Sequence, residues 1–264
     1  MASSKKTIAE KINCGINPFF FKGADQKGGT ARKTDLLGRF ETINRFYSSL
    51  EGDDTSYQMN IKDCYALKLA DVIREKIFSG DVSTDKDGSF GDSFYSELAL
   101  SIEADDTQRD EDLTVIYLKQ MMNIMKSCGL VKIEKRKASL QVKDLSRDKF
   151  YFKLLKSFWN ETDWAVIFPS SPEAAMKLFI NREVFIGFLE EFYTKVSVED
   201  LGNDFFEMTE IADANDFFMI SFLDFYLLTW LRHFGIIDYI TSSNSEVVHI
   251  MLNDYGREII KILG

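Results

Sequence analysis

Two stretches of this 264-residue chain decide its fold: Ile-Met-Lys-Ser-Cys-Gly-Leu-Val-Lys-Ile at residues 124–133, and Trp-Leu-Arg-His-Phe-Gly-Ile-Ile-Asp-Tyr at residues 230–239. In both, an apolar helical pattern ends at a glycine, Gly129 or Gly235, and two aliphatic residues lead into an alternating strand. Glycine often ends a helix because it adopts left-handed backbone angles without a steric penalty. The sequence therefore predicts one supersecondary unit that occurs twice.

The elements around Gly129 follow from apolar periodicity, which is near 3.6 residues in helices and 2 in half-buried strands. The predicted elements are helices at 61–78, 94–102 and 113–125, strands around 131–133 and 140–142, a hairpin tip at 135–139, and a helix capped by Ser146. The elements around Gly235 match them in order. They are helices at 184–193 and 218–233, strands around 237–239 and 248–252, a tip at 241–246, and a last helix capped by Asn253 or Asp254.

The order helix, glycine, strand, hairpin tip, strand and helix resembles the winged-helix superfamily. The resemblance implies a mainly α fold with small β-hairpin wings, arranged as tandem winged-helix-like domains. We expect an N-terminal extension with one helix at 1–60, a first winged-helix-like domain at 61–158, a linker at 159–172 and a second winged-helix-like domain at 173–264. Pro169 and Pro172 indicate the linker, and Pro172 stands where a proline starts a helix well.

Charge is unevenly distributed along the chain, whose net charge is −10. Residues 160–264 hold 6 basic and 18 acidic side chains, whereas residues 119–156 hold 11 basic and 3 acidic. Such asymmetry bears on the choice of partners rather than on the fold. It separates the two copies chemically.

The winged-helix resemblance implies contact with DNA, through one helix in the major groove and basic wing residues on phosphates. The first copy has residues that suit both roles: Lys119, Asn123 and Lys126 on its helix, and Lys132, Lys135, Arg136 and Lys137 on its wing. An exposed hairpin tip is also often basic because charge discourages edge-to-edge aggregation. In the second copy the helix from Ile220 to His233 is apolar nearly all round, which is typical of a helix buried in its own domain or against a partner.

Sequence motifs of enzymes and cofactor sites are not found. Residues 26–34, Gln-Lys-Gly-Gly-Thr-Ala-Arg-Lys-Thr, come close to a Walker-type phosphate loop, but one extra residue displaces the lysine that the phosphates require. Cys14, Cys64 and Cys128 lie far apart, and Cys128 suits a buried apolar role. The two histidines lack further ligands at metal-binding spacing. We predict no cofactor, no metal and no catalytic residues.

No apolar run reaches the length that spans a bilayer, and no signal peptide is recognisable, so the cytoplasm is the expected location and no membrane contact is predicted. We expect a non-catalytic adaptor that binds a protein partner or associates with itself. The alternatives are a DNA-binding regulator that uses the basic first wing, and an enzyme whose site the sequence does not reveal.

Overall fold

The structure is a computed structural model, and it describes residues 64–80, 82–102, 111–142, 145–191, 195–212, 216–241 and 248–263. The predicted N-terminal helix, the loop at residues 26–34 and most of the second wing tip lie outside these residues. The chain divides into two compact units. Of the described residues, the first unit holds 64–176 and His233–Gly235, and the second holds Lys177–Arg232 and 236–263.

The first unit is built from helices around one hairpin. Its elements are α1 (Tyr65–Ser79), α2 (Asp92–Ser101), α3 (Glu111–Ser127), β1 (Val131–Glu134), β2 (Lys137–Leu140), α4 (Arg147–Lys156), a π-helical turn π1 (Ser157–Glu161) and α5 (Trp164–Ile167). Helix α3 packs on α1 and α2, and its apolar residues Leu118, Met121, Met122 and Met125 are buried. Burial of this apolar stripe is what holds the short helices together.

A bridge residue extends the hairpin of the first unit. Ser83 pairs antiparallel with Lys137 of β2. The amide of Thr84 donates to the carbonyl of Arg136, and the amide of Ala138 donates to the carbonyl of Val82, each at 3.0 Å. The segment between α1 and α2 therefore acts as a third strand, placed beside the second strand of the hairpin.

Residues that the sequence analysis assigns to a linker are packed inside the first unit. Trp159 and Trp164 are fully buried, and the Trp164 ring stacks on Phe158 with centroids 5.2 Å apart. The Trp164 indole N–H donates to the Phe158 carbonyl at 2.7 Å. Large aromatic side chains bury much apolar area, so this segment belongs to the core rather than to a solvated connection.

The second unit repeats this arrangement. Helix α6 (Pro172–Glu191) begins in the first unit, and the elements that follow are β3 (Val196–Ser197), α7 (Val198–Thr209), α8 (Phe217–Phe222), a π-helical segment π2 (Leu223–Leu228), α9 (Thr229–His233), β4 (Ile237–Thr241), β5 (Val248–Leu252) and α10 (Asp254–Leu263). Strand β5 lies between β3 and β4, and both pairs are antiparallel. In each unit a short strand that follows the first helix thus pairs with the second strand of the hairpin. A mainly helical chain with small antiparallel sheets is confirmed.

The two glycines adopt the predicted helix-ending geometry. Gly129 has φ of 68° and Gly235 has φ of 71°. The amide of Leu130 donates to the carbonyl of Met125, and the amide of Ile236 donates to that of Leu231, each at 2.9 Å. These bonds are the six-to-one bonds of the Schellman motif, which satisfies carbonyls at a helix end. The same chemistry turns each helix into its hairpin.

Several predicted boundaries are corrected. The first hairpin tip is only two residues long, not the five at 135–139, because β2 already begins at Lys137. The helix expected at 184–193 is part of one helix that starts at Pro172. The long helix before Gly235 is interrupted by π2, in which the backbone hydrogen bonds shift to i→i+5.

Candidate interaction surfaces

The basic wing of the first unit is the hairpin β1–β2 with its two-residue turn. Lys135 and Arg136 form the turn with φ of 50° and 64°. Positive φ at both central residues is the requirement of a type I′ turn, which matches the twist of the flanking strands. Glycine or asparagine meets that requirement at lower energy than lysine or arginine. Two cationic side chains are therefore held at the tip in spite of a backbone penalty.

All four predicted wing cations are exposed. Lys132 pairs with Glu134 at 2.6 Å on the same strand, so its charge is partly compensated. Ser83 lies beside Lys137 in the sheet. Lys135 and Arg136 project from the tip, and within the described residues neither takes part in an ion pair. The tip is the part of the wing most available to an anion.

The three predicted helix residues occupy one face of α3, as their spacing requires, but each is held by a neighbour. Lys119 Nζ lies 2.8 Å from Asp92 Oδ1 and 5.6 Å from the centre of the Tyr95 ring. This bond from Lys119 lowers the pKa of Asp92. Asn123 Nδ2 donates to the Val166 carbonyl at 3.1 Å.

Lys126 is the most enclosed of the three. Its Nζ donates to the Gly88 carbonyl at 3.5 Å and lies 5.3 Å from the centre of the Phe90 ring. Burial lowers the pKa of Lys126, and the charge of Asp87 opposes that shift. The structure thus separates the seven predicted residues into a solvent-facing wing and three helix side chains engaged with their own unit.

The corresponding helix of the second unit presents aromatic rings to solvent. Phe217, Phe218 and Phe225 are 81%, 58% and 42% exposed; we call these three residues the aromatic face. The sequence analysis identifies this helix as apolar all round and leaves open whether its own domain or a partner covers it. Its other apolar residues Phe222, Leu223, Leu227, Leu228, Trp230 and Leu231 are buried.

Phe218 and Phe225 each contact another aromatic ring of the same helical segment. Phe218 lies 6.3 Å from Phe222, and Phe222 lies 4.4 Å from Tyr226, centre to centre. Phe225 meets Tyr226 edge to face at 5.9 Å. Such pairs add orientation to simple burial, so the rings of Phe218 and Phe225 are each held against another aromatic ring of the helix.

The segment π2 carries a half-buried carboxyl. The Tyr239 hydroxyl of β4 donates to Asp224 Oδ1 at 2.6 Å, and the Thr229 hydroxyl donates to the Asp224 carbonyl at 3.0 Å. Burial raises the pKa of Asp224, and the bond from Tyr239 and the charge of Arg232 oppose the shift. The Arg232 guanidinium lies 5.0 Å from the centre of the Tyr239 ring. This cluster ties the helix to the hairpin directly beside Phe225.

The sequence that carries the aromatic face is rich in acidic residues, and two cations, Lys177 at the Ile211 carbonyl and Arg232 at the Tyr239 ring, lie beside it. Residues 196–231 contain eight Asp and Glu residues and no Lys, Arg or His. Glu207 and Glu210 are exposed at the end of α7, and Asp216 begins α8, where its carboxylate accepts from the Met219 amide at 3.1 Å. Helix α7 packs on α8, because Gly202 has no side chain where Ile220 approaches. The acidic residues of the α7–α8 connection therefore lie at the Phe217 end of the face.

One cleft, two buried thiols and the arrangement of potential metal ligands bear on catalysis in the part of the chain that the structure describes. A cleft of about 270 Å³ between α1 and α2 is lined by Val72, Glu75, Lys76, Glu97, Leu98 and Ser101. Lys76 and Glu97 pair across it at 2.6 Å. Burial raises the pKa of the Cys64 thiol to about 12 and also raises that of Cys128, so neither is a thiolate at neutral pH. No three potential metal ligands come together among the described residues.

None of the helices in the described ranges is both long and apolar enough to cross a bilayer. No family model, no curated protein and no solved structure matches the chain. The role of these surfaces is therefore inferred from the residues that form them.

The sequence analysis finds the basic wing but not the aromatic face. The apolar residues of the second helix are visible in sequence, but their exposure depends on which side of the helix the hairpin and α7 cover. The sequence does show the N-cap residue Asp216 directly before Phe217 and Phe218, which marks the start of this helix but not which of its faces is exposed.

Proposed function

We propose that this chain is a non-catalytic, cytoplasmic tandem winged-helix protein that works by protein–protein contact through the aromatic face of its second unit. The observation that carries the proposal is the exposure of three phenylalanines, Phe217, Phe218 and Phe225, within nine residues of one helical segment. A concentration of exposed aromatic residues marks interaction sites more often than single exposed apolar residues do. Aromatic residues are also enriched at the centres of protein interfaces.

The repeated connectivity supports the winged-helix part of the proposal. Both units run helix, short strand, helix, helix, hairpin and helix, and in both the short strand pairs with the second hairpin strand. Both hairpins follow a helix that ends at a left-handed glycine. The buried free thiols of Cys64 and Cys128 fit a reducing compartment such as the cytoplasm.

The free energy of burying apolar side chains also favours a partner that covers the aromatic face. Burying a phenylalanine side chain fully contributes roughly 1.5–3 kcal/mol. Three rings left in water forgo a large part of that stabilisation, whereas the same helix buries its other apolar residues well. A partner that covers the rings would gain this free energy of burial. Because Phe218 and Phe225 already contact other rings, these two side chains would lose little conformational entropy on binding.

The test compares the proteins that three forms of the chain capture from cells that express it. The three forms are wild type, the variant Phe217→Ser/Phe218→Ser and the matched control variant Leu100→Ser/Ile180→Ser. The control removes two side chains of similar exposure, 74% and 70%, outside the aromatic face. We expect a partner to bind wild type and control equally and to bind the Phe217→Ser/Phe218→Ser variant at least tenfold less. Equal recovery with all three variants would contradict the proposal.

A second candidate function is nucleic-acid contact through the basic wing, and the two exposed cations at its tip favour it. Phosphate binding by these side chains would be weak in sequence preference and steep in salt dependence. Because Lys119, Asn123 and Lys126 are engaged within the first unit, the wing would carry most of the contact. We expect Lys135→Ala/Arg136→Ala to lower the salt slope of duplex binding by about 2. If duplex DNA shows no mobility shift at low salt, this candidate is lost.

A further inference from the structure

The two units expose surfaces of opposite charge. Residues 132–137 of the wing carry four cations and one carboxylate, whereas the sequence of residues 196–231 in the second unit has eight acidic residues and no basic one. Two cations lie close to that stretch: Lys177, whose Nζ donates to the Ile211 carbonyl at 3.2 Å, and Arg232, beside Tyr239. Charge complementarity of this kind guides association and excludes partners of the same sign. The wing therefore has a net positive charge, and the sequence around the aromatic face has a net negative charge.

The wing tip suits an aromatic surface as well as an acidic one. Lys135 and Arg136 project from a two-residue turn between paired strands, so binding would mainly order their own side-chain rotamers. A guanidinium or ammonium group placed over a phenylalanine ring gains cation–π attraction, which grows as the site is desolvated. Carboxylates at the rim can pair with the same cations.

The aromatic face offers both kinds of contact. The rings of Phe217 and Phe218 lie at the start of α8, which follows Glu207 in the last turn of α7, Glu210 at its C-cap and Asp216 at the N-cap of α8. A cationic hairpin tip could thus rest on the rings while its charges meet the carboxylates. Two identical aromatic faces could not pair in this way, because their like charges would be brought together.

We infer that the aromatic face binds the basic wing of a second copy of this chain. The inference rests on the proposed function and names the partner for that face. Because each copy presents one wing and one face, the contact is heterologous, and it repeats head to tail into a ring or an open filament. The assembly weakens as salt screens the charges.

Sedimentation velocity on the full chain tests this inference. Wild type is expected to associate with rising concentration at about 50 mM salt and to associate at least tenfold more weakly at about 500 mM. The wing variant Lys135→Ala/Arg136→Ala and the face variant Phe217→Ser/Phe218→Ser are each expected to sediment as monomers. The control Lys86→Ala/Lys149→Ala removes two other exposed cations of the first unit and is expected to behave as wild type.

Mixing the two variants gives the sharpest result. The wing variant keeps an intact face, and the face variant keeps an intact wing, so one contact per pair remains. The mixture is therefore expected to form a 1:1 complex and no larger species. A mixture that stays monomeric, or variants that each associate alone, would overturn the inference.

Failure of this inference is distinguishable from failure of the proposed function. If wild type is monomeric at every concentration and salt, but Phe217→Ser/Phe218→Ser still loses a captured protein, then the face binds a different partner and only the inference is lost. If that variant captures everything that wild type captures, the proposed function is lost as well.

Discussion

At Gly256, the last helix of the second unit lies directly against the backbone. A Cβ at this position would overlap the Ile236 carbonyl oxygen and lie 2.8 Å from the carbonyl carbon. Because a backbone group cannot move aside as a side chain can, we expect Gly256→Ala to lower the free energy of unfolding by about 3 kcal/mol. Urea denaturation measures the change.

Gly187 provides the matched control for this substitution. It lies inside α6, and an added Cβ would meet no atom within 4 Å. Alanine has higher helix propensity, so Gly187→Ala should raise the free energy of unfolding by about 1 kcal/mol. Equal effects of the two substitutions would show that the close approach of α10 to Ile236 is not maintained.

Asp224 gives the second unit a pH-dependent stability. Burial raises its pKa in the folded protein above the ordinary value of 3.8. The protonated form is therefore favoured by folding, and the stability that this group contributes is present at low pH and lost as pH rises through the folded pKa. Asn keeps an oxygen that accepts from Tyr239, so the stability of Asp224→Asn relative to wild type should increase as pH rises above about 4.

Urea midpoints at several pH values measure that gain. Tyr239→Phe serves as the contrast, because it leaves the half-buried Asp224 carboxylate without its 2.6 Å donor. We expect it to destabilise the protein by about 1–2 kcal/mol at neutral pH. A constant difference between Asp224→Asn and wild type across the pH range would contradict the assignment.

At the scale of elements, the wing turn is not optimised for stability. Lys135 and Arg136 both have positive φ, where asparagine and glycine are preferred. We expect Lys135→Asn/Arg136→Gly to stabilise the protein by about 1 kcal/mol while it removes both charges. Thermal unfolding measures the gain, and loss of association in the same variant would show that the turn is selected for contact. A lower melting temperature would contradict this account of the turn.

The elements that could be predicted from sequence are those set by local chemistry. The Gly129 and Gly235 helix ends appear where expected, because the Schellman geometry depends only on nearby residues. Asn253, one of the two predicted caps, accepts from the Gly256 amide at 2.7 Å. Ser146 stands at its predicted N-cap position, although its side chain makes no cap hydrogen bond.

Other elements depend on contacts distant in sequence. Strand β3 is two residues long and exists because β5 pairs with it, so its own residues carry almost no signal. Helix α7 was missed although its cap was visible, since the Ser197 side chain accepts from the Asp200 amide. The π2 segment interrupts a helix whose sequence is mostly apolar, and its position is accompanied by the tertiary bond between Asp224 and Tyr239.

At the scale of the whole molecule, uneven charge and exposed aromatic side chains are the two properties on which the proposed function is based. The asymmetry between a basic wing and an acidic second unit was predictable, because it is a property of composition. The burial of Trp159 and Trp164 was not, because a tryptophan-containing segment just before Pro169 and Pro172 gives no indication of which core it joins. The aromatic face was hidden for the same reason, since exposure is decided by the neighbouring elements.

Photo-crosslinking from the aromatic face tests the central claim most directly. A benzoylphenylalanine residue at position 217 replaces an exposed ring by a reactive one of similar shape, and the same residue at position 180 is the control. We predict that irradiation of expressing cells joins position 217 to a protein in a defined adduct, and that position 180 gives none. If the two positions give the same products, or position 217 gives none, the aromatic face is not a docking surface.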